Sequence, residues 1–523
     1  MEIRIEKKYL IFPVNTSIGK KRLTFLKDHI SVYALNIRLD NLAPDFEAFI
    51  DVSRFLGETL ELTVEPDMTI SFRTSDEIDL PDLYQEQTRP QVHFSPKIGW
   101  NNDPNGLVYV DGIYHMFFQY NPTEPKWDNM HWGHAISSDL IHWEEVDIAL
   151  FPSDDGMKFS GSAIVDEQNL LRLQTGDTPT VVLYHTVTEP NRQCIAYSTD
   201  NLKTIVDAAD VPVLPHIIAH NRDPKVVWCE EMNRYIMALY MDKDIYSLFS
   251  STDLKNWKQF QDLHLPGDDE CPDLFVLTDK SGKRKWVLAG ASGKYIVGTM
   301  QGDRFRQTQS VKSLHFGTSA YAGQSFSNLP NNRVVRIDWD TAKGQWPLLR
   351  SRVNGQMGIP LEMTLETIDG TDWLCANPVK ELETIYQKQR TYQNQALQKE
   401  TPLRIGLNEK ACLFRVQAGR TPDARLDFTV FGCHFQCDFS ENAVVFGDNV
   451  MPIAVAGEKL DLTVLVDTCS FELFADGGKA YMTMIDTCSV CDRNLPYLEV
   501  RSTADCVIDL LEVTELNSIW KQK

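Results

Sequence analysis

The acids of this 523-residue chain best placed for chemistry are Asp103, Asp223 and Glu270. Asn102-Asp103-Pro104-Asn105-Gly106 precedes the apolar run Leu107-Val108-Tyr109-Val110. Asn221-Arg222-Asp223-Pro224 precedes Val226-Val227-Trp228, and Asp269-Glu270-Cys271-Pro272-Asp273 precedes Leu274-Phe275-Val276-Leu277. A residue before proline is pushed to extended backbone, so Asp103 is expected in a sharp, rigid polar turn between two strands. Singly, each acid reads as turn punctuation. Three such acids, each opening a β segment, suggest carboxylates converging on one cleft. Glycoside hydrolysis needs that equipment: a carboxylic acid and a carboxylate on either side of a scissile acetal.

The elements that must position these acids read as almost all β. Between residue 93 and about residue 370, short strands alternate with Gly, Asp, Asn and Pro turns, and no long amphipathic helix intervenes. Ser138-Asp139-Leu140-Ile141-His142-Trp143 recurs as Thr252-Asp253-Leu254-Lys255-Asn256-Trp257, with a degenerate copy at Ser198-Thr199-Asp200-Asn201-Leu202. Asp139 to Asp200 is 61 positions and Asp200 to Asp253 is 53, near the period of a propeller blade. Residues 92–376 then divide into about five blades.

The polar, Gln-rich stretch 377–400 reads as a linker or short helix. Residues 401–523 resume period-two alternation, as in Leu460-Asp461-Leu462-Thr463-Val464, and predict an antiparallel β-sandwich. Residues 1–91 carry the same pattern in a small β module, expected to bury little core of its own and to dock on the propeller. The fold class is thus all-β: a small N-terminal module, a five-bladed propeller and a C-terminal sandwich.

Composition narrows the function. A formal charge of −22 with no basic run argues against nucleic acid and anionic membrane surfaces. Neutral sugars, held by hydrogen bonds and aromatic faces, are compatible with it. No stretch of about 20 apolar residues predicts a membrane helix. The first residues lack an apolar leader core, so a cytoplasmic protein is expected, or a secreted one should a leader precede Met1. Eleven scattered cysteines fit a reduced compartment. Zinc held by Cys488/Cys491 with Cys433/Cys437 is disfavoured, because neither pair lies in a Gly-rich knuckle. His131 and His134 read as structural, and no metal or cofactor is expected.

Together these motifs resemble glycoside hydrolase family 32, the invertases, inulinases, levanases and fructan exohydrolases. The resemblance covers roughly residues 92–515 and runs in the family's order. It begins with Trp100-Asn101-Asn102-Asp103-Pro104-Asn105-Gly106, Phe118-Gln119-Tyr120-Asn121-Pro122, Trp132-Gly133-His134-Ala135 and Phe159-Ser160-Gly161-Ser162. Arg222-Asp223-Pro224-Lys225, Glu270-Cys271-Pro272-Asp273, Tyr321-Ala322-Gly323-Gln324-Ser325-Phe326 and Asp467 through Gly478 follow.

The resemblance implies that Asp103 is a nucleophile, Glu270 an acid/base and Asp223 a stabiliser of the transition state. It implies that Asn102, Gln119, Trp127, Phe159, Ser160, Arg222 and, through a looser match, Trp339 line a fructosyl pocket. The arginine of the family's Pro-Arg-Glu-Leu is missing from Gly358-Ile359-Pro360-Leu361-Glu362, and the N-terminal module has no counterpart in simple invertases.

The implied activity is retaining β-fructofuranosidase action on sucrose, fructo-oligosaccharides or fructans, with the two reacting carboxyl groups about 5–5.5 Å apart. The competing readings are an exo-inulinase or levanase preferring polymer, a five-bladed glycosidase of other sugar specificity, and a non-catalytic sugar-binding homologue. Lys126, Lys158 and Lys225 are the only basic residues near the motifs that could favour a phosphorylated sucrose. A homo-oligomer is compatible with the sequence.

Overall fold

The computed structural model describes residues 1–208, 212–218, 220–341, 352–420, 424–453, 459–485 and 495–520. Five antiparallel sheets follow one another between residues 99 and 378. Their first strands are Gly99–Val110, Lys158–Asp166, Arg222–Cys229, Asp273–Thr278 and Ala320–Ser325. Each first strand touches that of the next blade, and the fifth returns to the first, so the strands ring a central funnel. Val353–Asn354 pairs in parallel with Gly99 and Trp100, tying chain from beyond the fifth blade's second strand to the first blade. This is the five-bladed propeller that the repeat predicts.

The repeat itself is a shared turn. Asp139, Asp200 and Asp253 each sit between the third and fourth strands of the first three blades. Each takes a hydrogen bond from the serine two residues back, Ser137, Ser198 and Ser251 respectively. Asp139 also accepts from the backbone N–H groups of Ile141 and His142, and Asp253 does so from Lys255 and Asn256. The turn places Leu140, Leu202 and Leu254 at φ of 67°, 63° and 65°. A branched residue pays for left-handed backbone only when burial holds it there, and all three leucines are buried.

After the propeller come two six-stranded sheets stacked face to face. Their core includes Phe414, Phe428 and Phe435, the last two stacked at 4.9 Å. Cys433 and Cys437 pack into that core, and Cys488 and Cys491 lie outside the described residues. The expected linker at 377–400 is corrected by the structure. A short 3-10 turn, Lys380–Ile385, leads into the strand Tyr386–Leu397, which pairs with Cys506–Leu516 at a sheet edge. Most of its side chains are exposed, and an edge strand is kept polar against unwanted pairing, hence the Gln-rich composition.

The N-terminal module also departs from expectation. It has two sheets, of four and three strands, and between them a core containing Leu10, Phe12, Phe25, Leu35, Ile50 and Leu62. Short strands suffice because both sheets contribute one apolar face to the same layer. Ile98 belongs to this core and Phe151, from the first blade, packs against it, so the module is docked on the propeller.

Propeller and sandwich share a continuous apolar cluster that includes Phe275, Ile337, Phe474, Tyr481 and Trp520. A buried polar seam runs through the same boundary. His93 pairs with Asp467 at 2.8 Å and with Glu472 at 3.1 Å. Beside them, Arg336 donates to Asp338 at 2.9 Å and Tyr481 to the same carboxylate at 2.5 Å.

Candidate active site

Around the funnel, the first strands break their pairing register where the site residues sit. The irregularities fall between Asn101 and Pro104, Phe159 and Gly161, Arg222 and Lys225, and Tyr321 and Gln324. A bulge re-aims a side chain that regular alternation would direct elsewhere, and it is one of the few places a proline fits inside a sheet. Asp103 is therefore not in a turn between strands. It lies inside the strand Gly99–Val110, with Pro104 accommodated by the irregularity. Gly161 is required at its bulge, since a Cβ there would sit 1.9 Å from the Tyr184 carbonyl oxygen.

The acids carry backbone strain as well. Asp223, Glu270, Cys271 and Ala322 have φ of 64°, 53°, 36° and 54°. Such conformations cost about 1–3 kcal/mol each and persist where surrounding structure over-determines them, commonly at functional sites.

The side chains converge. Ser160 Oγ donates to Asp103 Oδ2 at 2.6 Å and Asn102 Nδ2 donates to Asp103 Oδ1 at 3.1 Å. Trp100 in turn donates its indole N–H to Asn102 Oδ1 at 2.8 Å, fixing the amide. Cys271 Sγ lies 3.5 Å from both Asp103 Oδ2 and Asp223 Oδ2, and the Cys271 backbone N–H donates to Asp223 at 3.2 Å. Arg222 bonds Glu270 Oε1 through Nη2, places Nε 3.6 Å from Asp223 Oδ2, and rests its guanidinium 4.8 Å from the Tyr240 ring centre. Tyr321 donates its hydroxyl to Glu270 Oε2 at 2.8 Å.

The remaining expected pocket residues surround this cluster. Phe159 meets Trp127 edge-on with ring centres 6.1 Å apart, and Trp127 is 48% exposed. Trp339 packs against Trp100 at 5.7 Å and Tyr321 at 6.4 Å. Gln119 is buried and donates to the Lys158 carbonyl at 2.9 Å. Cys271, Tyr321 and Tyr240 were not among the expected site residues. The signal for the first two was present, since Cys271 adjoins Glu270 and Tyr321 opens one of the motifs; Tyr240 lies on a second strand with no sequence cue.

Electrostatics distinguish the acids. Burial pushes Asp103 upward, against the opposing hydrogen bonds from Ser160 and Asn102. Burial likewise raises Asp223 to about 7; Arg222 opposes the shift and the Asp103 charge adds to it. The Cys271 thiol is driven well above its ordinary value by burial and then by Asp103 and Asp223. The two histidines flanking Trp132-Gly133 are structural in kind: burial lowers His131 to about 3 and His134 well below its usual range. His131 pairs with the Tyr33 hydroxyl at 2.7 Å, and His134 with His115 at 3.0 Å.

The N-terminal domain of glycosyl hydrolases family 32 matches residues 93–378. The levanase of Bacillus subtilis (strain 168) is 31% identical over 490 residues, spanning 84% of this chain and 72% of that protein. An extracellular exo-inulinase of Aspergillus niger is 30% identical over 486 residues, spanning 76% of this chain and 89% of its own. The crystal structure of exo-inulinase from Aspergillus awamori superposes with a TM-score of 0.75 at 25% identity, covering 84% of this chain and all of that one. A family match across more than half of the chain, over a range that contains the three funnel acids, makes this protein a member of glycosyl hydrolase family 32.

Proposed function

We propose that this protein is a retaining β-fructofuranosidase that hydrolyses terminal non-reducing fructosyl units of sucrose, fructo-oligosaccharides or fructans. The observation that carries the reading is the meeting of Asp103, Asp223 and Glu270 around one thiol and one guanidinium. Asp103, oriented by Ser160 and Asn102, attacks the anomeric ketal carbon as the leaving oxygen departs, giving a covalent fructosyl-enzyme. Glu270 protonates that oxygen and then activates the water that releases fructose.

Acidity alone would nominate Asp223 as the proton donor. Its side chain, however, is only 4% exposed, whereas that of Glu270 is 33% exposed and within reach of an outgoing alcohol and an incoming water. Asp223 is placed to accept hydrogen bonds from ring hydroxyls, with Arg222 favouring its ionised form. Trp127 and Phe159 offer aromatic faces to the sugar.

A free rather than phosphorylated sugar is favoured because the nearby lysines are already engaged. Lys158 pairs with Asp207 at 2.7 Å, Lys225 with Asp273 at 2.9 Å, and Lys126 donates to the Thr16 carbonyl at 2.6 Å. A preference for polymer is supported by the similarity to a levanase and exo-inulinases.

Product analysis on sucrose, inulin and levan tests both points. Fructose alone from the polymers is expected, and an NMR time course should show the retained anomer first. Appearance of the inverted anomer first would rule out the double displacement.

A further inference from the structure

The loop 122–130 joins the second and third strands of the first blade and carries Trp127. Part of its shape is internal or comes from the propeller: Asn121 donates to the Lys126 carbonyl at 2.8 Å, Asn129 to Thr123 Oγ1 at 3.1 Å, Asn354 to the Pro125 carbonyl at 3.1 Å, and the Lys158 N–H to the Met130 carbonyl at 3.0 Å. The rest comes from the N-terminal module. Arg38 Nε reaches both oxygens of Glu124, at 3.1 and 3.0 Å. Lys20 pairs with Asp128 at 2.6 Å, and Asn36 Nδ2 donates to the same residue at 3.2 Å. The Asn36 backbone and the Asn129 amide bond each other reciprocally, both at 2.8 Å, as two strands would.

Glu124 and Asp128 are 1% and 4% exposed. A buried carboxylate without a partner is costly, so the module's cations stabilise this shape of the loop. The family match begins at residue 93, leaving the module outside it.

We propose that the N-terminal module is a positioning element for substrate: through Arg38, Asn36 and Lys20 it fixes loop 122–130 and thereby the attitude of Trp127 at the funnel. The inference rests on the reading of the funnel as a fructosyl site. Trp127 is half-exposed and meets Phe159 edge-on, so the loop that carries it sets its attitude at the funnel. The module therefore acts on binding rather than on the chemical step, since none of the three acids touches it.

A double-mutant cycle on the full-length chain tests this. Arg38→Ala should raise the KM for sucrose about fivefold with kcat within about twofold, the pattern of lost ground-state binding. In a Trp127→Ala background the same change should add less than about twofold, because both act through one side chain. Arg38→Lys, keeping the charge but losing the guanidinium's separate contact to the Ile18 carbonyl, should fall between. Limited trypsin digestion gives a readout independent of turnover: Arg38→Ala should be cut faster after Lys126 than the parent.

An unchanged KM, a KM effect undiminished in the Trp127→Ala background, or unaltered cleavage after Lys126 each overturns the proposal. Should Arg38→Ala fail to fold, Lys20→Ala and Asn36→Ala, each removing a contact to Asp128, enter the same cycle. Absence of turnover of sucrose and fructans by the parent would instead fail the functional reading, with the cleavage experiment still deciding the brace.

Discussion

Two buried acid clusters lie in this molecule, one in the funnel and one at the seam between propeller and sandwich, and their contents differ little. Each gathers several carboxylates and a cation. At the seam, Asp467 accepts from the backbone N–H groups of Gln91, Val92 and Thr468 as well as from His93. Burial opposes its ionisation, but those donors win and its pKa is lowered. Burial also opposes the charge on His93, yet Glu472 and Asp467 hold it well above the usual imidazole value.

In the funnel the same burial prevails. Asp103 and Asp223 are raised, and the backbone beneath Asp223 and Glu270 is left-handed. The difference lies in the donors: Asp467 is held by three main-chain N–H groups and His93, whereas Asp223 has one main-chain N–H and Asp103 is held by side chains. Where the seam leaves an oxygen unpartnered, Oδ1 of Asp340 beside His93 and Glu472, burial raises that acid too. Raised acids alone therefore do not mark the reactive site; what sets the funnel apart is the strained backbone beneath its acids and the partial exposure of Glu270.

The largest expected effects lie in the funnel. Asp103→Asn and Glu270→Gln should each reduce kcat at least ~10³-fold, since each removes a participant of the double displacement. Circular dichroism and melting temperature should remain near the parent's. Near-normal kcat in either purified variant would falsify the roles given to these acids.

At the seam the loss should appear in stability instead. His93→Ala leaves Asp467 and Glu472 without their shared cation, and breaking a buried pair in this way costs about 3–5 kcal/mol. The pH dependence follows from the raised pKa. The contribution of His93 is fully present below its unfolded value of 6.5 and is lost as pH rises through the higher folded value. Parent and variant should therefore differ most in melting temperature at mildly acidic pH and converge in alkali. A constant gap across that range would show the histidine to be a packing element only.

The sequence made the two clusters unequally visible. The funnel acids were legible because each sits in a compact motif, one or two residues before a proline and shortly before an apolar run. Their setting was misjudged, as proline beside asparagine and glycine reads as a turn, and pattern alone does not distinguish a turn from a bulge that still pairs on both sides. The propeller was legible through the Asp-Leu turn that recurs once per blade in the first three blades. The seam was not, because His93 and Asp467 lie 374 positions apart and no local pattern joins them. Residues 386–397 were misread for the converse reason, since an exposed edge strand has the composition of a linker.

A subtler contrast concerns the stability cost of function. Asp223 has a folded pKa of about 7 against an ordinary 3.8, so the folded state binds its proton more tightly. That preference stabilises the fold fully below pH 3.8 and disappears as pH rises through about 7. Asp223→Asn, nearly isosteric and neutral, should melt a few degrees higher than the parent at pH 8 while being severely impaired in turnover. The difference should vanish near pH 4. An equal or lower melting temperature at pH 8 would place Asp223 with Asp467, whose donors outweigh burial.

The smallest expected effect is none at all, and it falls on the residue whose side chain lies between two of the acids. Cys271 Sγ is 3.5 Å from Asp103 and from Asp223, a position where a reactive thiol would be modified with loss of activity. Reactivity belongs to the thiolate, and low thiol pKa values occur beside cations or helix N-termini. Cys271 has the opposite surroundings: it is 2% exposed, and burial together with the adjacent carboxylates drives its pKa well above 9.0. Arg222 pulls the other way, but it is the weakest of these influences. Iodoacetamide at pH 8 should therefore leave the activity of the folded enzyme intact, and mass spectrometry should find Cys271 unmodified until the protein is denatured. Rapid alkylation of Cys271 with parallel inactivation would mean that Arg222 outweighs burial and the adjacent carboxylates at this thiol, and the contrast with the seam would collapse.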